Sequence, residues 1–297
     1  MEDHAPRGSW HNVTMSTWSW KVLQAGSLRL DGGGMFGIIP RTMWSRWTTP
    51  DESNRIDLQT NCLLLRNGDR TVLVETGCGD KWTDKERAIY DLERRTVVDA
   101  LREAGVDPED VDLVIATHLH FDHAGGLTTL DGEDPGASNA SPRPVFPNAE
   151  VIVQSGEWED ACANRSTMTR TYLASHLEPV ADLVRTVDGS AEILPGLRVE
   201  PVPGHTPGQQ GIFAETDDGT VAFLGDLLPT RHHAHPSAAT AYDMEPYETH
   251  LVKRRMLQRA VDAEWIIVLD HDPEHPVMTA GTDDRGRPML EPWSASL

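Results

Sequence analysis

Cysteine is scarce in this chain. Cys62, Cys78 and Cys162 are the only three, widely spaced, odd in number and without a Cys-x-x-Cys pair. No disulfide framework is expected, only buried thiols in a reducing compartment, and Cys78 in "ETGCGD" does not read as a nucleophile. Long apolar runs are also missing, since none approaches the roughly 18 residues of a membrane-crossing helix. The N-terminal "MEDHAPRGSWHN" lacks the basic start and apolar core of a secretory signal, so a cytoplasmic location is expected. The third deficit is positive charge: 26 Lys and Arg stand against 47 Asp and Glu, a net charge of −21. So acidic a surface repels phosphate backbones and anionic lipid, which removes nucleic acid and membranes from the expected partners. Internal repeats and coiled-coil heptads are absent too.

With 297 residues, 38% hydrophobic and 25% charged, the chain has the composition of a globular protein with a sizeable core. One domain over 1–297 is expected, with a loosely packed N-terminal extension at 1–15 and a loosely packed tail from about 281 to 297. The Pro-, Gly-, Ser- and Asn-rich segment 131–150 reads as a surface excursion. "NCLLLRNGDRTVLVETG" reads as two strands around an Asn-Gly-Asp turn. "TVVDALREAGV" has helical spacing that stops at Gly105, and "HLVKRRMLQRAVDAE" is a helix with an apolar stripe and a basic face. "DLVIATH", "EVIVQ", "TVAFLGD" and "WIIVLDH" are short, nearly all-apolar runs of the kind buried strands show. Three of these four end in His or Asp. A strand end holds a side chain rigidly while the loop beyond it stays open to substrate.

The densest chemistry lies in "THLHFDHAGG", residues 117–126. His118 and His120 are two apart, so in an extended segment they face the same side and can grip one ion. Asp122 and His123 lie where the chain must turn and can face a second position nearby. Gly125 and Gly126 let that turn run tightly beneath the ions. Neutral imidazoles with a carboxylate suit zinc, and also iron, manganese or cobalt. Further donors follow at turns: His205 in "PVPGHTPGQ", Asp226 at the end of "TVAFLGD" and His271 at the end of "WIIVLDH". His275 competes with His271, which is preferred because it follows the strand directly. His232, His233 and His235 in "RHHAH" form a second cluster that could bind metal or line a pocket mouth, although its loop has no strand to fix it.

"HLHFDH" followed by His205, Asp226 and His271, over roughly residues 60 to 275, resembles the metallo-β-lactamase superfamily. "LVETG" resembles the family's strand that usually ends Asp-Thr-Gly; Glu75 is a departure there and is not expected to touch a metal directly. The resemblance implies an α/β fold, an αβ/βα four-layer sandwich of two mixed β-sheets packed face to face with helices outside and metals at one edge. It implies that His118, His120 and His205 hold one metal, that Asp122, His123 and His271 hold the other, and that Asp226 bridges them. Two divalent ions per chain, zinc first among the candidates, would then carry a bridging hydroxide as nucleophile. Asp122 and Asp226 would be the catalytic carboxylates, Asp122 helping to pass a proton to the leaving group.

Such a fold hosts many chemistries. Asp at 226, where zinc β-lactamases are expected to have Cys or Ser, sets the chain apart from antibiotic hydrolysis. The chain is too short and too acidic for the nuclease branches, has neither the Glu replacement nor the flavin domain of the flavodiiron branch, and lacks the basic C-terminal region of the thioester-hydrolysing branch. "DGGGMFGIIPRTMW", "GDLLPTRHHAHP", "AYDMEPYET" and "LDHDPEHP" look like the quorum-quenching lactonase and methyl-parathion-hydrolase-like group. The implied function is hydrolysis of lactones of the acyl-homoserine-lactone type, or of related carboxylic esters. An organophosphate triesterase or arylesterase is the alternative. Met35, Phe36, Trp44, Trp47, Phe121, His233 and Tyr242 are expected to form the substrate pocket, with apolar and aromatic walls for a small molecule. The shorter lactonases place a substrate-binding Tyr three residues after the bridging Asp; here that position is Pro229, and Tyr242 is the candidate replacement. Tryptophans of the N-terminal region point to a homodimer.

Overall fold

The computed structural model describes residues 17–130, 141–168 and 170–294. Four strands, β1 (Ser19–Asp31), β2 (Arg55–Asn67), β3 (Arg70–Val74) and β4 (Leu113–Ile115), begin the first sheet. Strands β5 (Thr128–Leu130) and β6 (Pro142–Pro144) pair only with each other, and β7 (Glu150–Gln154) and β8 (Val184–Val187) complete the first sheet in the order β1-β2-β3-β4-β7-β8. The second sheet holds β9 (Ala191–Leu194), β10 (Leu197–Pro201), β11 (Gln210–Thr216), β12 (Gly219–Phe223), β13 (Ile266–Val268), β14 (Val277–Thr282) and β15 (Pro288–Pro292), in unbroken reverse order. Both sheets are mixed: β1-β2-β3 is antiparallel while β3-β4-β7-β8 is parallel, and β12 and β13 form the parallel pair of the second sheet. The helices are α1 (Gly32–Phe36), α2 (Arg41–Trp44), α3 (Asp84–Tyr90), α4 (Val97–Glu103), α5 (Phe121–Ala124), α6 (Ser155–Cys162), α7 (Ala174–Leu177) and α8 (Pro246–Asp262).

The two-residue period of a strand explains the layering. In β2, Leu63 and Leu65 point one way, and Cys62 and Leu64 the other. Leu63, Leu65, Val72, Val74 and Ile115 meet Val199, Ile212, Val221, Phe223 and Ile266 between the sheets. On the outer face of the first sheet, Leu64, Leu73, Val114 and Val151 pack against Val97, Ala100 and Leu101 of α4. On the outer face of the second, Phe213, Ala222 and Ile267 pack against Val252, Met256, Leu257 and Ala260 of α8. Each such aliphatic side chain removed from water contributes about 1.5–3 kcal/mol. The result is helix, sheet, sheet, helix, the expected sandwich. Sheets with apolar residues on both faces read as continuous apolar runs, which is why "DLVIATH" and "WIIVLDH" were legible as strands.

Several expectations need correction. The tail from Gly281 is not loose over its described part: β15 pairs with β14 from Met278–Pro292 to Thr282–Pro288, extending the sheet edge. Segment 131–150 is only partly a surface excursion, because Phe146 and Ala149 are buried and β6 pairs with β5; residues 131–140 lie outside the described residues. The N-terminal extension 1–15 also lies outside them. The three cysteines are free, but Cys162 is exposed rather than buried. Among the described tryptophans of the N-terminal region, Trp18 and Trp44 are buried and Trp20 and Trp47 half-buried, while Ile38 and Met43 are exposed. Among the described residues no helix is long and apolar enough to cross a membrane.

Candidate metal centre

All the sequence-predicted donors meet at one edge of the sandwich. His118 and His120 follow the C-terminal end of β4, and Asp122 and His123 sit in α5. His205 lies in the turn after β10, Asp226 in the turn after β12 and His271 just past β13. The chain folds back sharply under this edge. A Cβ on Gly125 would collide with the Cys78 carbonyl and one on Gly126 with the Thr76 carbonyl, so only glycine fits at either position.

The donor atoms form two overlapping groups. His118, His120, His205 and Asp226 make one, and His123, Asp226, Asp270 and His271 the other; within each group the atoms lie within 4.8 Å of one another. Asp226 is shared. Its Oδ2 is 3.0 Å from His205 Nε2 and 4.0 Å from His118 Nε2, while its Oδ1 is 3.3 Å from His271 Nε2. His205 Nε2 and His120 Nδ1 are 3.0 Å apart, and His271 Nε2 and His123 Nε2 are 3.3 Å apart. Asp122 flanks the second group, 3.7 Å from both His123 Nε2 and His271 Nε2.

Outer hydrogen bonds decide which nitrogen each ring offers. His205 donates Nδ1–H to Asp243 at 2.9 Å, and His271 donates Nδ1–H to the Gln59 carbonyl at 2.9 Å. Both rings therefore present a lone pair at Nε2 to the centre. Thr240 braces Asp243 with a hydroxyl donated at 2.7 Å. Glu75 stands behind His123, its Oε2 3.4 Å from Nδ1, while its Oε1 accepts the Thr117 N–H at 2.6 Å. Glu157, fully buried, accepts from Leu119 N, the Tyr172 hydroxyl and the Thr206 hydroxyl, so one carboxylate ties the His118–His120 segment to the His205 turn.

The electrostatics are those of a cation site. Burial, with the neighbouring rings, pushes His118 and His120 well below the ordinary imidazole value, leaving them neutral donors. Burial pulls His123 down as well, but Asp122 and Glu75 outweigh it and hold the ring well above its usual value. In His271 burial is outweighed by Asp270 and Asp226, raising it to about 10. Burial alone would raise Asp226, yet His205 and His271 hold it well below the carboxylate range. The carboxylates thus draw positive charge inward, and a divalent cation bound there displaces protons from the same atoms. Buried His118 Nε2 and Asp226 Oδ1 have no hydrogen-bond partner among the described residues. Imidazole and carboxylate donors of this number and burial fit divalent transition-metal ions.

A cavity of about 490 Å³ opens over the centre. His120, Asp122, His205, Asp226 and His271 face it, and Met35, Phe121 and Tyr242 line it, joined by Leu30, Tyr90, Met168 and Arg170. Phe36, Trp44, Trp47 and His233 do not line it. Phe36 and Trp44 are buried and stacked on each other at 5.6 Å, supporting the wall from behind. Trp47 lies over His232, with ring centroids 5.7 Å apart. His233 is buried; it accepts from the Thr230 hydroxyl and donates Nε2–H to the Met35 carbonyl, both at 2.8 Å. "RHHAH" is therefore a packing element that positions Met35. His275 is exposed, whereas His271 is in the centre. The Pro229 carbonyl accepts the His271 N–H at 2.9 Å, so the position where the shorter lactonases carry Tyr here serves to seat a candidate ligand.

Sequence reasoning missed Glu157, Asp243 and Asp270. Glu157 and Asp243 lie far along the chain from the Leu119 N–H and the His205 ring that they hold, with no local pattern to mark them. Asp270 did leave a signal, being an acid at the end of an all-apolar run.

A profile described as Metallo-beta-lactamase superfamily matches residues 55–271. Over 232 residues the chain is 28% identical to the N-acyl homoserine lactonase AiiA of Bacillus thuringiensis subsp. kurstaki, covering 74% of this chain and 83% of that protein. Over 228 residues it is 31% identical to the N-acyl homoserine lactonase AiiB of Agrobacterium fabrum, covering 70% of this chain and 82% of that one. The structure is similar to that of a probable metal-dependent hydrolase from Staphylococcus aureus, with a TM-score of 0.82, 26% identity, and coverage of 95% of this chain and 100% of the other.

Proposed function

The chain belongs to the metallo-β-lactamase superfamily and is a metal-dependent hydrolase, and from that premise we propose that it opens lactones at a dinuclear centre. The observation that carries this reading is the placement of Asp226, which both donor groups share: its Oδ2 is 3.0 Å from His205 Nε2 and 3.8 Å from His123 Nε2, and its Oδ1 is 3.3 Å from His271 Nε2. One bridging carboxylate between two sets of imidazoles is what a pair of ions requires. His118, His120 and His205 would hold one ion; Asp122, His123 and His271 would hold the other. When bound, two divalent ions would supply Lewis acidity toward a carbonyl oxygen and lower the pKa of water held there.

The chain's own residues supply the rest. Asp122, which lines the cavity, takes the proton released as water adds to the carbonyl carbon and delivers it to the leaving alkoxide. Tyr242 reaches the cavity from the loop before α8 and offers a hydroxyl to the substrate carbonyl, replacing the Tyr absent at Pro229. Burial pushes that phenol up to about 12, so it stays a donor at neutral pH. Leu30, Met35, Phe121 and Met168 form an apolar wall that can take an acyl chain and exclude water. Named N-acyl homoserine lactonases among the relatives support the same substrate class. The substrate is accordingly a lactone with an acyl chain, of the homoserine-lactone type.

The test is one preparation of known metal content, followed by proton release. The panel is acyl-homoserine lactones, simple γ- and δ-lactones, an aryl ester and the phosphotriester paraoxon. Acyl lactones turning over fastest is the expected result. Paraoxon or the aryl ester fastest would replace lactone opening by the phosphotriesterase or arylesterase reading.

A further inference from the structure

Asp270 lies directly before His271 and is 2% exposed. Neither of its carboxylate oxygens has a hydrogen-bond partner among the described residues. A buried carboxylate in that condition is strongly disfavoured unless a proton or a cation meets it. Its position is not accidental slack in the backbone. Asn61, from β2 of the opposite sheet, donates its N–H to the Asp270 carbonyl at 2.7 Å, and its side-chain amide to the Leu269 and Asp272 carbonyls at 2.9 and 2.8 Å. Gln59 adds a bond to the His271 carbonyl at 3.3 Å. The turn is pinned on both sides of Asp270, and its side chain is held inward.

Inward means toward the second donor group. A carboxylate oxygen of Asp270 lies within 4.8 Å of the donor atoms of His123, Asp226 and His271, and its Oδ2 is 3.9 Å from His271 Nε2. Two donors on one ion, each about 2.0–2.2 Å from it, stand no more than about 4.4 Å apart. The 3.9 Å between Asp270 Oδ2 and His271 Nε2 lies inside that limit, and the 4.8 Å spread of the whole group is only slightly wider than it.

We propose that Asp270 is a direct donor to the ion held by Asp122, His123 and His271, which makes the two positions of the centre chemically unequal. The inference rests on the dinuclear reading above. The first position has three imidazoles and the shared Asp226. The second has two imidazoles with Asp122, Asp226 and Asp270, an oxygen-rich set that favours a harder ion of higher coordination number than tetrahedral zinc.

The experiment titrates metal-free protein with Co²⁺, following visible absorption, in the wild-type chain and in Asp270→Asn and Asp270→Ala. The wild type should take two equivalents, the second adding weaker absorption, since five- and six-coordinate Co²⁺ absorbs less than tetrahedral Co²⁺. Both variants should keep the first equivalent and bind the second at least about ten-fold more weakly. What does bind there should absorb more strongly, having lost a donor. The metal-free variants should melt no lower than metal-free wild type, because a carboxylate without partners contributes nothing to the empty fold. A second equivalent unchanged in affinity and spectrum overturns the inference. So does a lowered melting temperature of the metal-free variants, which would make Asp270 a packing residue. A wild-type chain that takes fewer than two equivalents overturns the dinuclear reading itself, whatever the variants do.

Discussion

Gly34 and Tyr242 occupy adjoining space: a Cβ placed on Gly34 would collide with the Tyr242 hydroxyl, and the Gly34 carbonyl accepts the Ala241 N–H at 2.7 Å. The short helix α1 thus holds the loop that carries Tyr242 and leaves its ring just enough room to reach the cavity. Gly34→Ala would ordinarily strengthen a helix by about 1 kcal/mol. Here it should destabilise the fold by about 1–3 kcal/mol through overpacking and displace the Tyr242 ring. Thermal unfolding with lactone kinetics checks both, and the double variant with Tyr242→Phe should lose no more activity than the worse of the two single variants.

Tyr242→Phe removes only the hydroxyl offered to the substrate. It should lower kcat for lactones by about 100-fold, the usual size for a lost oxyanion donor, while metal content stays at the wild-type level. Steady-state kinetics beside elemental analysis separates the two. Undiminished turnover would show that Tyr242 does not take the place left by Pro229.

Glu157 gathers three donors from three segments, the shortest being the Thr206 hydroxyl at 2.6 Å. In Glu157→Gln the amide group replaces one accepting oxygen, so the fold should lose about 1–2 kcal/mol. The His118–His120 segment and the His205 turn would lose their common anchor. Metal retention against a chelator should fall about ten-fold, as for other residues that orient ligands. Melting temperature and chelator competition measure the two effects.

His233 gives the stability of the cavity wall a defined acid sensitivity. Burial pulls its pKa down to about 4, and the ring is neutral while it donates to the Met35 carbonyl. The unfolded chain titrates near the ordinary value of about 6.5 and so binds more protons between those limits. This group's stabilisation is complete above about pH 6.5 and is lost as pH falls toward 4, by up to about 1.4 kcal/mol per pH unit. Gln can also accept from Thr230 and donate to Met35 but carries no titrating ring. Urea unfolding at pH 7 and pH 5 should therefore show a smaller drop for His233→Gln than for the wild type.

The sandwich and the gathering of seven coordinating side chains at one of its edges were legible in the sequence for one physical reason. Strands buried on both faces are written as unbroken apolar runs, and a coordinating residue at the end of such a run is conspicuous. "DLVIATH", "TVAFLGD" and "WIIVLDH" carry both signals at once. The pocket was harder to read. "DGGGMFGIIPRTMW" has no strand or helix period that separates Met35, which faces the cavity, from Phe36 and Trp44, which support it from behind. The outer supports were harder still. Asp243 holds His205 from 38 residues away and Glu75 stands behind His123 across the fold, contacts created by the topology rather than by spacing.

The central claim is that two donor groups joined by Asp226 act as one hydrolytic centre. Its most direct test is to count metal per chain in wild type and in His271→Ala, and to follow lactone opening on the same preparations. The account predicts two equivalents in the wild type, about one in the variant, and loss of turnover with the missing ion while the fold persists. Full lactone turnover by a one-metal variant, or by metal-free wild type, would contradict it.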